Sequence, residues 1–551
     1  MRPTPWQKEC LHTQQQRPKM RPSGATCTPR PGTTRLAAAT PILAVVVAGR
    51  PRVRTAAPAA PSARSDHPPS SLREGVAATA TPDTAASVSG LDTAADLRRL
   101  ASRTCLKSLP YDGLAAWVAS TGEDAAAVPA RTLQLWRLLY YRDTKTGVGL
   151  VSDLASEAGP ATRGGLSGAF LQRAAASAAA VDPGIELASI HASADGTRKL
   201  VFNVTAGPAA GRAVDAVLIP VVRRAGARPR LTLCLSSQAG CSQGCTFCLT
   251  GAMGLGGSLT AGQIVEQAVV ARRLLAAEAA AAGAAGADAA ADAAPPPPGR
   301  RTRRPPPPPL TNVVFMGQGE PFDNYGAVSA AVSILTHPLG LAFGASKVTV
   351  STVGLLAEMR AFAAAHPRVQ VALSLHATTD AGRAAIMPAA ARAGHDLASV
   401  AACLRDVFPG APPPPPGPGG EGGEGGARAG GGGGSAAGGG GGGGHRRHVL
   451  VEYLLLDGIN DSVDDAARLL ALLDGVAAKV NLLNFNPHAA AVFGRSGRGD
   501  AFRRALLDGG RVCTVRASRG GDDAMAACGQ LGDPAAAGGV VAKARLARLG
   551  I

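Results

Sequence analysis

The 551-residue chain has no apolar run as long as the ~18 residues that a membrane-crossing helix needs. It therefore offers no candidate transmembrane helix. Its ten cysteines show no paired framework of the kind that staples small secreted domains. Acidic residues are nearly missing from residues 1–65, where Glu9 stands alone against eleven Lys and Arg. That segment is rich in Arg, Pro, Ala, Thr and Ser, the composition of an organelle transit peptide. A chloroplast address is expected, with mitochondrion or cytoplasm as the alternatives. The apolar stretch PILAVVVAG at 41–49 starts too far from the N-terminus to serve as a secretory core. Of the formal charge of +17, the first 65 residues carry +10, which leaves a mildly basic body. Such a body suits a polyanion such as RNA, and equally an ordinary solvated surface.

Glycine and proline are abundant, but they gather in tracts that cannot bury a core. A Pro/Ser/Ala linker spans 66–96, and two low-complexity blocks, 276–309 and 409–446, are expected to stay unfolded. Between 97 and 180, apolar residues recur at three- and four-residue spacing. This predicts a small helical accessory domain with Trp117, Leu135, Trp136, Leu139 and Tyr140 in its core. Short strands are expected over 181–228, as a connector. From 229 to 531 seven strand-like runs alternate with helical segments: 230–235, 311–316, 347–351, 368–374, 448–455, 479–485 and 511–515. Repeated β–α units predict α/β architecture, here a partial (β/α)6 barrel with a parallel sheet. One helix is expected over 260–275, opened by the capping-box pair Thr260 and Gln263. Residues 532–551 form a tail. Each low-complexity block falls after a helix and before the next strand, so both should emerge at the barrel face opposite the active-site loops.

The most informative stretch follows the first of these strands. Cys241, Cys245 and Cys248 make a C-x3-C-x2-C triplet on one short loop. Three thiolates can hold three corners of a 4Fe–4S cluster, and a fourth iron without a cysteine is open to a ligand. Spacing alone leaves zinc open as well, with Cys234 as a fourth ligand. Polar residues gather in the loops after the other strands: Gly319 and Glu320, Ser351, Ser374 with His376, and Asn486. Each alone reads as a turn or cap, but together on one face they suggest a shared small-molecule site. Cys105, Cys403 and Cys513 sit on helix or strand patterns and read as packing residues.

The stretch from about 195 to 531 resembles the radical S-adenosylmethionine RNA methyltransferases of the RlmN/Cfr group. The motifs that carry the resemblance are DGTRKLVF, LCLSSQAGCSQGCTFC, VVFMGQGEP, VTVSTVG, ALSLHA, VEYLLLDGIND, NLLNFNP and ASRGGDDAMAACGQL. The resemblance implies a radical-SAM barrel and methylation of C2 of an adenosine in large-subunit rRNA, and of some tRNAs. It implies that Cys241, Cys245 and Cys248 ligate a 4Fe–4S cluster whose open iron chelates S-adenosylmethionine. Gly319, Glu320, Ser351, Ser374, Leu375, His376 and Asn486 would contact that cofactor. Cys528 would carry the methyl group as S-methylcysteine, and Cys234 would resolve the protein–RNA adduct by forming a disulfide with Cys528. A ferredoxin or flavodoxin is implied as electron donor. Asp215 stands where the group has a Glu as general base, and its shorter side chain reduces its reach. C8 methylation, other radical-SAM RNA chemistry, or a non-catalytic ribosome-associated RNA-binding role are the alternatives. The paired thiols argue against the last.

Overall fold

In the computed structural model, described residues are 105–140, 166–177, 180–221, 230–291, 309–392, 395–410, 447–488, 490, 492–516 and 525–534. The expected transit peptide, the linker, parts of the helical module, most of 409–446 and most of the C-terminal tail lie outside them. Chain order begins with helices α1 (Tyr111–Ser120), α2 (Val128–Tyr140) and α3 (Gly168–Ala176). Strands β1 (Ile185–Ala192), β2 (Arg198–Val204), β3 (Ala213–Val221), β4 (Arg230–Cys234) and β5 (Gln238–Gly240) follow. Next come α4 (Leu249–Met253), β6 (Leu255–Ser258), α5 (Ala261–Ala291), β7 (Leu310–Phe315), α6 (Tyr325–Thr336), β8 (Val348–Thr352) and α7 (Leu356–Ala365). The rest are β9 (Gln370–Ser374), α8 (Asp380–Ile386), α9 (Pro388–Arg392), α10 (Leu397–Val407), β10 (Val449–Leu455), α11 (Val463–Leu472), β11 (Ala478–Asn484), α12 (Gly499–Asp508) and β12 (Cys513–Arg516).

One sheet runs β1-β2-β3-β4-β7-β8-β9-β10-β11-β12. From β4 to β12 every neighbouring pair is parallel, and each of the six crossovers carries a helix. This is the expected (β/α)6 series closed by a seventh strand. The three N-terminal strands join the same sheet in antiparallel fashion, with β3 paired to β4. The connector expected over 181–228 is therefore an extension of the barrel wall. A strand edge left bare at β4 would expose unpaired backbone groups, and β3 covers it.

Register sorts the strand residues onto two faces. Leu233, Val313, Val348, Val371, Val451, Val480 and Cys513 point to the helices and share one continuous core. Opposite parity places Cys234, Val314 and Thr349 in one row, and Ser374, Glu452, Asn481 and Thr514 in another, on the inner face. A barrel whose inner face is polar has room for chemistry rather than packing.

The accessory helices share that core. Trp117, Leu135, Trp136, Leu139 and Tyr140 are all buried, as their periodicity predicts. Lys107 donates to Glu266 on α5 at 2.9 Å, and the Gly262 amide donates to Ser108 Oγ at 3.0 Å. The Thr260/Gln263 capping box forms in both directions. Helix α5 then runs sixteen residues past the expected end at 275, to Ala291. The expectation that 276–309 cannot fold is corrected over 276–291. Alanine is the best helix former, and extending a helix that tertiary packing has already nucleated costs little. Arg198 on β2 pairs with Glu278 within this extension.

Candidate active site

The cysteine loop hangs from the C-terminal end of β4 and is held by buried amides. The Gln318 main-chain amide donates to Ser236 Oγ at 2.8 Å, and Gln318 Oε1 accepts from the Gly240 amide at 3.3 Å. Gln238 Oε1 accepts from the Glu320 amide at 2.9 Å. Asn324 Nδ2 donates to the carbonyls of Ser237 and Leu259 at 2.9 and 2.7 Å. Gly319 has φ +98°, and a Cβ there would lie 2.6 Å from Gln238 Cβ, so the β7 loop can close on the cysteine loop only as glycine. These glutamines and Asn324 were not singled out by sequence reasoning. They are short polar residues in loops, with no periodicity to mark them.

Cys241, Cys245 and Cys248 are free, partly accessible thiols. Burial raises all three above the ordinary thiol range, and at Cys241 and Cys245 the neighbouring thiols and Glu320 add to the effect. Such a set gains from a cationic centre that draws off thiolate charge. Among the described residues, no three His, Cys, Asp or Glu side chains converge tightly enough for a single metal ion. A cubane needs no such convergence, because each thiolate binds a different corner. Cys234 is not beside the triplet. It packs with Val217, Ala526 and Leu531, whereas Cys245 and Cys248 pack against a separate cluster containing Phe247, Ile386 and Leu454. The reading of Cys234 as a fourth zinc ligand has no support in this geometry.

The remaining predicted residues ring the same end of the barrel. Glu320 is buried, its Oε1 accepting from the Phe322 amide at 3.1 Å and Oε2 from the Val353 amide at 2.9 Å. Burial nonetheless pushes its carboxyl up to about 7. The hydroxyls of Ser351 and Ser374 meet at 3.3 Å across β8 and β9. His376 takes a left-handed backbone, φ 54°, and its Nδ1 accepts from the Leu454 amide at 3.1 Å. Its ring stands edge-on to Phe247, between two cluster cysteines, at 5.1 Å. Burial first, and then the Arg383 charge, holds its pKa down to about 3, so it is neutral at physiological pH. Leu375 has its side chain in the main core, and its amide donates to the Glu452 carbonyl at 3.1 Å. Only its backbone can face the site. Asn486 Oδ1 is buried without a partner, as is Ser237 Oγ. Orphaned polar atoms of this kind suit a polar ligand.

A strap of residues 525–534 crosses the barrel mouth. The Leu249 amide donates to the Gly529 carbonyl at 2.8 Å, and Thr250 Oγ1 to the Leu531 carbonyl at 2.7 Å. Gln530 Nε2 donates to the Pro487 carbonyl at 2.8 Å, and Asn486 Nδ2 to the Cys528 carbonyl at 3.1 Å. On the far side the Gly532 amide donates to Asp215 Oδ2 at 2.9 Å. Solvent reaches Cys528, yet the surrounding barrel raises its thiol above the ordinary range, the Glu452 charge adding and Arg516 opposing. Burial, with the Cys528 charge adding, pushes Cys234 up strongly. Both are free thiols, so the disulfide implied by the resemblance is not present in this state. Glu452, bonded to Asn481 Nδ2 at 3.0 Å, was also missed. A charged residue inside the apolar run VLVEYLL was the signal for an inward-facing position.

A parallel barrel with a three-cysteine loop after its first strand, ringed by polar loops and crossed by a thiol-bearing strap, defines a radical S-adenosylmethionine enzyme. No protein-family model matches the chain. Curated relatives do: the dual-specificity RNA methyltransferase RlmN of Geotalea uraniireducens is 35% identical over 349 residues, 63% of this chain and 78% of the relative. That of Syntrophobacter fumaroxidans is 32% identical over 434 residues, 78% of this chain and 97% of the relative. A crystal structure of a radical SAM methyltransferase from Sphaerobacter thermophilus aligns with TM-score 0.54 and 30% identity, covering 78% of this chain and 99% of that one. The chain belongs to the family of RlmN dual-specificity RNA methyltransferases.

Proposed function

We propose that this chain methylates C2 of an adenosine in large-subunit rRNA, and of tRNA, through S-methylcysteine at Cys528. The observation that carries the reading is the strap, which sets Cys528 between the cysteine loop, Asn486 and the inner face of β10. Cys241, Cys245 and Cys248 would hold a 4Fe–4S cluster, and Gly319, Glu320, Ser351, Ser374, the Leu375 backbone, His376 and Asn486 would surround S-adenosylmethionine. When bound, these groups supply an electron-driven radical chemistry, which adenine C2 requires because it is a poor nucleophile for polar methyl transfer.

The protein's own part is positioning and thiol chemistry. Cys528 offers a thiol at the solvent-accessible mouth, where a splayed base can reach it. Cys234 keeps its proton because it is buried, and it lies on the strand next to the strap; there it would form a disulfide with Cys528 as the carbon–sulfur bond of the adduct breaks, the freed carbon taking the electron pair and a proton to become the methyl group. Asp215 anchors the strap through Gly532 and remains the candidate to accept the C2 proton. Neutral His376 and the buried Glu320 stiffen the loops that would hold the cofactor.

Anaerobic reconstitution with iron and sulfide, followed by assay on rRNA fragments, tests the reading. Mass spectrometry should find methyl at adenine C2 and on Cys528. Methyl at C8, or none despite a full cluster, would overturn it. A ferredoxin or flavodoxin as donor fits the one-electron chemistry, and reconstitution with each is the direct test. The acid-poor composition of 1–65 supports a chloroplast address, to be tested by fusing those residues to a fluorescent protein.

A further inference from the structure

We propose that Arg383, a buried cation with no ion-paired carboxylate, raises the reduction potential of the cluster held by Cys241, Cys245 and Cys248. The inference rests on the assignment of those three cysteines as ligands. Arg383 is 1% exposed, and among the described residues no carboxylate lies within ion-pairing distance of it. Its Nη1 donates to the His395 carbonyl at 3.0 Å and its Nη2 to the Val353 carbonyl, while Nε is buried with no acceptor. A charge taken out of water with only two neutral carbonyls to meet it is costly.

What lies beside Arg383 is the cysteine loop. Helix α8 carries Arg383 one turn before Ile386, and the Ile386 carbonyl accepts from the Thr246 amide at 3.0 Å and from Thr246 Oγ1 at 3.4 Å. Thr246 is flanked by Cys245 and Phe247. Ala385, Ile386 and Phe247 form one apolar cluster, against which Cys245 and Cys248 pack. Of the titratable groups nearby, His376 is neutral, and Asp380, one turn earlier on α8, acts on Arg383 through its charge but is bonded to the Leu397 amide at 2.8 Å and not to the guanidinium. Because both terminal nitrogens are engaged and the side chain is sealed from solvent, Arg383 acts through its field and not by contact with a substrate. Reduction adds a negative charge to a cluster, and a fixed positive charge in a low-dielectric wall stabilises the more negative state.

The test uses the full-length chain reconstituted anaerobically as wild type, Arg383→Gln, Arg383→Met and Arg383→Lys. Iron and sulfide content is measured first, and the cluster midpoint potential is then followed by electron paramagnetic resonance during a dye-mediated titration. The neutral variants are expected to fill with iron and to become harder to reduce by at least tenfold in the one-electron equilibrium, about 59 mV. Arg383→Lys keeps the charge and should stay close to wild type. Neutral variants with full iron and an unchanged potential overturn the proposal. So does failure of both neutral variants to fold, which would make the guanidinium a structural tie, or a Lys variant that falls as far as Gln. A wild-type chain that takes up no cluster would instead refute the underlying assignment of the cysteines.

Discussion

The Asn486 side-chain amide donates to the Cys528 main-chain carbonyl across 3.1 Å, joining the end of β11 to the strap that bears the thiol. The bond is made by one half of the amide only, since Oδ1 has no partner. Asn486→Ala is expected to cost ~1 kcal/mol of stability, the net worth of one such bond. Its effect on turnover should be larger, about a hundredfold in kcat/KM, because a ~1 Å misplacement of a reacting group costs that much. Thermal unfolding and initial rates on an rRNA fragment separate the two. A variant with wild-type kcat/KM would show that Asn486 does not place Cys528.

Asp215 has two separable jobs, and a pair of substitutions tells them apart. Its Oδ2 accepts from the Gly532 amide at 2.9 Å. Asp215→Asn keeps an acceptor for that amide but cannot take a proton, so methyl loading of Cys528 should persist while RNA turnover falls. Asp215→Ala loses both, leaves a buried donor unpaired at a cost of ~1–3 kcal/mol, and should impair loading too. Mass spectrometry of Cys528 and of the RNA reads each step. Full turnover in the Asn variant would remove Asp215 from proton transfer.

The accessory helices are clasped to the barrel by Lys107 and Glu266, 2.9 Å apart and both nearly sealed from water. Removing one partner strands the other, so Lys107→Met or Glu266→Leu alone should cost ~3–5 kcal/mol, whereas the double substitution should recover most of that loss. A double-mutant cycle by urea unfolding measures it. Single variants within ~1 kcal/mol of wild type would mean that the clasp contributes little.

Stability of the cluster-free chain should depend on pH through two groups of opposite sign. Glu320 is raised from 4.5 to about 7, so between those values the folded chain holds a proton that the unfolded chain has released, and stability falls as pH rises. His376 is lowered from 6.5 to about 3, so in that window the unfolded chain binds a proton the folded ring refuses. Its contribution rises with pH and is lost on acidification. Between pH 4.5 and 6.5 the two oppose each other. Glu320→Gln is therefore expected to steepen the gain in stability over that window, and His376→Asn to reverse it. Urea unfolding at pH 4.5, 5.5 and 6.5 gives the slopes, and unchanged slopes in both variants would contradict the assignment.

Much of this was legible in the sequence because strand and helix periods are local. The seven parallel strands, the capping box at Thr260 and the aromatic core around Trp136 follow from spacing that neighbouring residues fix. The cysteine triplet was visible for the same reason. Cys234 was reached only through the family resemblance: in sequence it stands seven residues from Cys241, but β-strand parity turns it to the inner face beneath the strap. Arg383 and Gln318 are set by contacts between segments far apart in the chain, and a short helix or loop carries no pattern that announces them. The tail of α5 was misjudged because low complexity was equated with disorder, although an alanine run continues any helix already nucleated.

That last point sharpens where the chain can be cut. Helix α5 ends at Ala291 and β7 begins at Leu310, and α10 ends at Val407 with β10 beginning at Val449. In each case the next described strand starts at the rim opposite the cysteine loop, which follows the C-terminal end of β4. Replacing 293–307 and 412–445 by short Gly/Ser linkers should leave iron content unchanged and kcat/KM within about twofold. Shorter loops cost less to close, so stability should hold or rise by ~1 kcal/mol. Extending the first deletion back to 276 removes Glu278, the partner of Arg198, together with four turns of helix. That longer deletion should lower the melting temperature while the shorter one does not. Loss of iron binding in the shorter deletion would place these segments at the active-site rim and overturn the topology argument.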